Sequence, residues 1–546
     1  MADTRRTIAG RSIRWDQARA AQAYASGAWI SGTLADALRA AARDTPDRIA
    51  IVDADVRLDC RELSARAHAL AAAMTQRMPT GSVVSFMLPN WSEAAVVYLA
   101  ATLAGMVVNP ILPSLRDHEL RFLLDDVECR MIFVPSEFRG YDYTAMLSRV
   151  AAQLDTPPEV VIVRGDSGTN TAYSELFDPQ AQAPELELDP DAVRMILYTS
   201  GTTGRPKGVL HSHNSIHALI RQLARHWRIE FGDTFLVPSP IAHIGGSIYA
   251  FELPLMLGTT AVLMDTWNAD AAVELALAHR CTHMAGATPF LQQLLAAAER
   301  AATRLPDLKV FICGGASVPP ALIRRAAQYF EKAAVSRVYG STEVPVTTVG
   351  ALDDPDAAAD TDGRPGIADV WLVAHNPGGA GGIAGEIRAR GPQMLVGYLH
   401  QEDELESFDS DGYFRTGDLG VWVHGALVVT GRAKDIVIRN GENISPKEVE
   451  DLLSGHPAIA EVAVIGLPDA RTGERMCAVI VPSPAASPDL EALREFLLGQ
   501  GLATFKLPER VEIWEALPKN DAGKVLKHRL RSALSEPAGH VPQMGV

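Results

Sequence analysis

The sequence predicts an α/β protein with a large multi-sheet N-terminal domain and a small α+β domain behind it. Short apolar runs alternate with alanine- and leucine-rich segments of helical periodicity, the pattern of layered, largely parallel sheets. A length of 546 residues is more than one hydrophobic core serves. Near Gly420 the alternation gives way to shorter, closely spaced strands.

In order, residues 34–42 and 63–74 read as amphipathic helices with a strand at 49–52 between them. A strand at 83–88 ends in Pro89-Asn90 and leads to a helix over 92–104. Strands at 130–134 and 159–163 precede an apolar run at 193–197, which looks like a buried strand. Strands at 235–237, 260–264, 282–285, 308–313 and 335–339 then alternate with helical runs. The acidic stretch 353–362 reads most simply as a solvated loop. Past Gly420, strands at 427–430 and 436–439 flank Gly431-Arg432-Ala433-Lys434-Asp435. Ser445-Pro446-Lys447-Glu448 puts a hydroxyl at an N-cap, proline in the first turn and glutamate three residues on, predicting a capping box and a helix to Ser454. Strands at 462–466, 478–481 and 511–514 and a helix at 490–498 complete the small domain. The boundary divides the chain into 1–432 and 433–546.

A formal net charge of −16 argues against sequence-independent binding to nucleic acid or to an anionic membrane surface. Cys60, Cys129, Cys281, Cys313 and Cys477 lie far apart with no C-x-x-C, which suits free thiols in a reducing cytoplasm. No apolar stretch approaches the length of a membrane span.

The chain is organised around residues 198–209, YTSGTTGRPKGV. A glycine-rich turn between strand 193–197 and the helical run 211–227 would let backbone N–H groups converge on an anion, with hydroxyls and Lys207 as further donors. Such composition also occurs in plain surface turns, and no Walker pattern can be laid on it. Three other stretches look chemical: Tyr339-Gly340-Ser341-Thr342-Glu343 at a strand's carboxyl end, Tyr413-Phe414-Arg415-Thr416-Gly417-Asp418, and Lys519-Asn520-Asp521-Ala522-Gly523-Lys524. Taken singly, Tyr339 also fits a core, Asp418 a turn cap and Lys524 a solvated charge.

Together and in this order, with GRAKD at 431–435, these motifs resemble the AMP-forming acyl-CoA synthetases, the adenylate-forming family, over about residues 34–529. The early stretches Leu88-Pro89-Asn90-Trp91 and Val108-Asn109-Pro110-Ile111-Leu112-Pro113 look most like its medium-chain fatty acid and cyclohexanecarboxylate CoA ligases. The resemblance implies a large N-terminal adenylate-forming domain and a small, mobile C-terminal domain. It implies ATP, Mg²⁺ and coenzyme A, with a small carboxylic acid as the remaining partner, and leaves room for a homodimer. The loop of Thr199, Ser200, Gly201, Thr202, Thr203, Gly204 and Lys207 would hold the ATP phosphates. Gly315, Ala316 and Ser317 would border the base, Tyr339 would stack on it, and Gly340 and Ser341 belong to the same motif. Thr342 would touch the α-phosphate and Glu343 would bind Mg²⁺, while Asp418 and Arg432 would hold the ribose. Lys524 would bridge carboxylate and α-phosphate, Lys434 would be the hinge, and Gly441 would line the pantetheine tunnel. Arg337, where relatives carry Asn or Gln, either contacts the purine or points elsewhere; Asn443 replaces an arginine that some relatives use on the phosphate.

For the acyl pocket the candidates are His243, Phe251, Ala287, Thr288, Gly314, Gly315, Val344, Val346 and Thr347, with His243 beside the carboxylate. Most are small or apolar, which fits an uncharged hydrocarbon tail, although ordinary core positions look the same. The absence of an aspartate in Pro240-Ile241-Ala242-His243-Ile244 disfavours an α-amino acid. The short tail after Lys524 points to free CoA rather than a fused carrier as acceptor. The expected substrate is a medium-chain or alicyclic acid, with an aryl acid or a steroid or terpenoid degradation acid as alternatives. A nucleotide-binding regulator without turnover is the alternative of a different class.

Overall fold

The computed structural model describes residues 4–178, 185–199, 205–315, 318–374, 385–439, 442–469, 471–484, 486, 488–520 and 523–535. Ser200, Gly201, Thr202, Thr203, Gly204, Ala316, Ser317 and Gly441 lie outside them.

Two large sheets carry the N-terminal domain among the described residues. One has eight strands in the order Thr171–Ala172, Glu159–Ile162, Met131–Val134, Val83–Phe86, Val107–Pro110, Val193–Thr199, Lys207–Ser212 and Gly397–Tyr398. The other has nine, with Ala334–Tyr339, Val310–Gly314, His283–Gly286, Thr234–Val237, Thr260–Leu263 and Ile49–Asp53 running parallel at its centre. The helix Ser92–Leu103, SEAAVVYLAATL, is apolar almost all round, and a helix of that kind needs cover on every side. It packs on strands of both sheets, inside the largest core cluster. Its Tyr98 closes a buried network, accepting from Arg194 Nη1 at 2.9 Å and donating to Glu252 Oε1 at 2.7 Å, while Arg194 Nη2 pairs with Glu252.

A four-stranded antiparallel sheet follows, in the order Asp369–Ala374, Gly385–Arg390, Phe414–Val423 and Ala426–Arg432. A short 3₁₀ turn, Ala433–Asp435, leads from it to Val437–Arg439, which belongs to the separate small sheet of the C-terminal domain. There Ile459–Asp469 and Gly473–Pro482 pair along their length, with Pro446–Leu453, Leu490–Gly499 and Lys527–Ser535 as helices. Pro446–Leu453 starts where the sequence predicts, but without the capping box. The Ser445 hydroxyl donates instead to the carbonyl of Thr430, tying the helix to the last strand of the preceding sheet.

The N-terminal hairpin Thr4–Ile8 and Arg11–Trp15 was not predicted. All five cysteines are free and buried. Among the described residues, no helix is long and apolar enough to cross a membrane.

Candidate functional site

Val193–Thr199 and Lys207–Ser212 run antiparallel, with Thr199 opposite Lys207. The glycine-rich stretch is therefore followed by a strand that pairs with the one before it, which corrects the strand-to-helix turn expected from the sequence. Gly208-Val209-Leu210-His211 forms a buried middle strand between Val193–Thr199 and Gly397–Tyr398, and the helix His213–His226 begins only after Ser212 caps it. Gly208 is closely packed there, since a Cβ would come 3.0 Å from Leu399 Cβ and 3.3 Å from Ile196 Cγ2 and the neighbours would have to give.

The cations at the second arm meet a carboxylate the sequence did not reveal. Arg205 Nη2 lies 2.9 Å from Asp403 Oδ2, and Lys207 Nζ lies 3.8 Å from Asp403 Oδ1 and 5.3 Å from the Tyr398 ring centre. Tyr398 donates its hydroxyl to Glu343 Oε1 at 3.1 Å; burial and that carboxylate push the phenol well above its ordinary range. Glu343 also accepts at its backbone carbonyl from Leu395 N, 2.7 Å away. Next to it, the Thr342 carbonyl accepts from His211 Nε2 at 2.8 Å. A carbonyl only accepts, so Nε2 carries the proton. Burial holds His211 neutral, down to about 4.

The Thr342–Glu343 pair sits in a tight loop that leaves the strand Ala334–Tyr339. A Cβ at Gly340 would fall 2.6 Å from Val346 N, Val346 takes φ +48°, and Gln222 Nε2 donates to the Val346 carbonyl at 2.8 Å. Thr347 is buried and gives its hydroxyl to the Val344 carbonyl at 2.6 Å. Ser341 Oγ accepts from Val344 N at 3.2 Å. These bonds fix the turn that presents Glu343.

On the other side of the same strand end, the Tyr339 hydroxyl donates to Asp418 Oδ2 at 2.9 Å, and Arg432 Nε meets Asp418 Oδ1 at 2.8 Å. Asp418 and Arg432 face each other across Phe414–Val423 and Ala426–Arg432, so the pair is set by sheet register. Burial and Asp418 hold the Tyr339 phenol well above its ordinary range. Gly314 must lack a side chain, since a Cβ would lie 2.4 Å from Val338 Cγ1. Gly315, at φ +81°, opens onto free space instead.

Lys524 reaches this cluster from the C-terminal domain. The chain on either side of residues 521–522 pairs with itself: Lys524 N donates to Asn520 Oδ1 at 2.8 Å, Asn520 N donates to the Lys524 carbonyl at 2.9 Å, and Gly523 takes φ +79°. The turn abuts the N-terminal domain, where a Cβ on Gly523 would stand 3.2 Å from Pro289 Cγ and 3.9 Å from Ala287 Cβ. The charges of Arg432, Asp418, Lys434 and Asp435 all act on the Lys524 ammonium. Burial, and then Arg432, bring it down to about 8. Lys434 is lowered as well, by burial and Arg432, while its neighbour Asp435 pairs with Arg531 at 2.8 Å.

The pocket candidates divide. His243 is the N-cap of the short helix Ile244–Ser247, and Gly246 lets that turn close on Pro240, whose carbonyl oxygen would be 2.1 Å from a Cβ. Ala287 and Thr288 open the helix Thr288–Arg300 beside the Lys524 turn. Phe251 belongs to the core, its ring centre 4.6 Å from Tyr98 and 6.4 Å from Phe86. Val344 is likewise buried, among Val209, Leu395 and Tyr398. Arg337 points away from the cluster: buried, it donates to the Ala359 carbonyl and lies 3.8 Å from Asp362 Oδ1.

Sequence reasoning missed His211, Gln222, Tyr398 and Asp403. Asp403 stands in the acidic run Gln401–Glu404, which reads as a solvated turn. Tyr398, between glycine and leucine, carries no motif of its own.

Residues 38–399 match the model of the AMP-binding enzyme family, and residues 448–524 match that of the AMP-binding enzyme C-terminal domain. The chain is 34% identical over 532 residues to the medium-chain fatty-acid–CoA ligase of Escherichia coli (strain K12), covering 95% of this chain and 94% of that protein. It is 32% identical over 518 residues to a (methyl-dioxo-octahydro-indenyl)propanoyl:CoA ligase of Rhodococcus jostii (strain RHA1), covering 91% and 98%. Among solved structures, ATP-bound MatB from Rhodopseudomonas palustris superposes with a TM-score of 0.82 at 28% identity, over 92% of this chain and 99% of that one. With its large and small domains both matched, in order, the chain belongs to the AMP-binding enzymes, the adenylate-forming family its motifs resemble.

Proposed function

We propose that this chain is a carboxylate–CoA ligase that makes an acyl-adenylate from ATP and a medium-chain or alicyclic acid, then passes the acyl group to CoA. One observation carries the reading: the C-terminal Lys524 is delivered to the Tyr339–Asp418–Arg432 cluster of the other domain. A carboxylate is a poor electrophile, so it attacks the α-phosphorus of ATP, the bond to the β-phosphate breaks, and pyrophosphate leaves. Nucleophile and target are both anionic, so the residues must supply positive charge and donors where charge builds up. Lys524 supplies a point charge between carboxylate and α-phosphate. Lys207, Arg205 and the loop 199–204 take the leaving pyrophosphate. Asp418 and Arg432 hold the ribose, Tyr339 the adenine, and Gly315 leaves room beside it.

Mg²⁺ neutralises phosphate charge when bound. Among the described residues no cluster of three metal-ligating side chains occurs. Glu343, steadied by Tyr398, fits an ion that takes one carboxylate and draws its other ligands from phosphates and water. In the second step the CoA thiolate attacks the acyl carbonyl and AMP leaves. Lys524 has no task there, so we assign Lys434 as the pivot on which the domain of residues 433–546 turns, withdrawing Lys524 and bringing Gly441 to the pantetheine arm.

His243, Ala287, Thr288 and Gly314 fit the walls of a pocket for an uncharged tail, such as the medium-chain fatty acid named for the Escherichia coli relative. The Rhodococcus relative favours a larger fused-ring acid as the second reading. CoA-thioester formation across straight-chain, alicyclic, aryl and fused-ring acids tests both. The expected result is the best kcat/KM on a medium-chain or cyclohexane acid, with AMP as co-product. ADP as co-product, or no thioester with any acid, would overturn the function.

The pH dependence follows from Lys524, which acts protonated. The kcat/KM for carboxylate-dependent ATP–pyrophosphate exchange reports the free enzyme, so it should fall as pH rises through about 8. Lys524→Arg should remove that alkaline limb. An unchanged limb in that variant would assign it to another group.

A further inference from the structure

We propose that the N-terminal hairpin Thr4–Trp15 positions the phosphate and metal side of the site, acting through Glu404. This rests on the reading of Lys207 and Glu343 given above. The hairpin precedes the family match, which begins at residue 38. Its second strand joins the segment after Val396: Arg14 N donates to the Val396 carbonyl at 2.7 Å, and the Arg14 guanidinium lies 3.6 Å from the centre of the Phe408 ring.

Glu404 is the point where the two meet. Its carboxylate is 8% exposed, and Oε2 lies 2.8 Å from Arg5 Nη1 and 3.4 Å from Arg14 Nη1. Oε1 accepts from Tyr398 N at 3.1 Å. Gly397 makes that bond possible, because a Cβ there would come 2.8 Å from Glu404 Oε1. Glu404 thus holds the backbone of Tyr398, whose hydroxyl holds Glu343. The adjoining Asp403 points to the other face and holds Arg205 and Lys207. The segment is densely acidic, with Glu402, Asp403 and Glu404 in succession. Arg5 and Arg14 neutralise Glu404, one of its two buried carboxylates, which leaves the other, Asp403, for the phosphate-loop cations. Glu404 and the two arginines are positioning residues: they touch no reacting atom, and they set the places of Lys207 and Glu343.

The test is ATP–pyrophosphate exchange by the full chain, with ATP, Mg²⁺ and acid titrated separately. Arg5→Ala/Arg14→Ala and Glu404→Gln should raise the KM for ATP about five- to tenfold, the scale of one ordinary hydrogen bond lost indirectly. The half-saturating Mg²⁺ should rise with it while the KM for the acid stays close to wild type; the double alanine variant, which leaves Glu404 buried without its cations, should also melt lower, and Glu404→Gln should melt close to wild type. Arg5→Lys/Arg14→Lys should restore most of the ATP affinity. An ATP KM within twofold of wild type would overturn the proposal. So would ATP and acid KM rising together with a lower melting temperature that the lysine pair does not rescue. A wild-type chain silent in exchange would overturn the functional reading itself, before any variant is made.

Discussion

Replacing Lys524 with alanine should lower carboxylate-dependent ATP–pyrophosphate exchange by about 10²–10³-fold, the cost of removing one donor aimed at developing charge. Thioester formation from supplied acyl-adenylate and CoA should stay within a few-fold of wild type. The split follows from placement. Lys524 sits at the base of a turn, braced by its backbone bonds to Asn520 and next to Gly523, which is seated against Pro289, so truncating the side chain leaves the turn intact. The change removes only a charge near Asp418 and Arg432. Both half-reactions, assayed separately on the same preparation, decide the matter. Equal loss of the two would make Lys524 a structural residue and remove the case for a domain that turns between steps.

The second large effect concerns stability. Arg194 and Glu252 are 2% and 1% exposed, and Tyr98 bonds to both. Arg194→Met should destabilise the N-terminal domain by about 3–5 kcal/mol, because it leaves a carboxylate buried without its cation. Replacing all three, as Arg194→Met/Glu252→Leu/Tyr98→Phe, should recover most of that loss, since an apolar trio carries no desolvation cost. Urea unfolding of the three proteins distinguishes the cases. A single variant costing under about 1 kcal/mol would mean that water reaches Glu252 once Arg194 is gone.

What the sequence reveals of this site is what lies contiguously in it. Tyr339 through Glu343 is one short loop, and Lys519 through Lys524 is another, so each motif displays its chemistry in a single window. Partners drawn from distant segments stay hidden. Asp403 meets Arg205 across 198 residues, and Tyr398 meets Glu343 across 55. Neither residue differs in type from ordinary surface or core. The same limit explains Arg337, whose direction is decided by Asp362 and Ala359 rather than by its neighbours in the chain. The parallel strands were legible because a strand buried on both faces reads as a continuous apolar run. The antiparallel sheet ending in Ala426–Arg432 was legible only in part, since the strand Asp369–Ala374 alternates into solvent and resembles a loop. The strand Lys207–Ser212 was missed because its first residues read as the end of the glycine-rich stretch and its last two as the start of the helical run.

That strand has one more consequence. Lys207 is held by ladder pairing opposite Thr199, so its location is inherited from the sheet. Residues 200–204 can therefore vary without displacing the backbone that carries Lys207. A slip of one place in the pairing would turn Lys207 to the opposite face and put Gly208 in its stead, losing the cation outright.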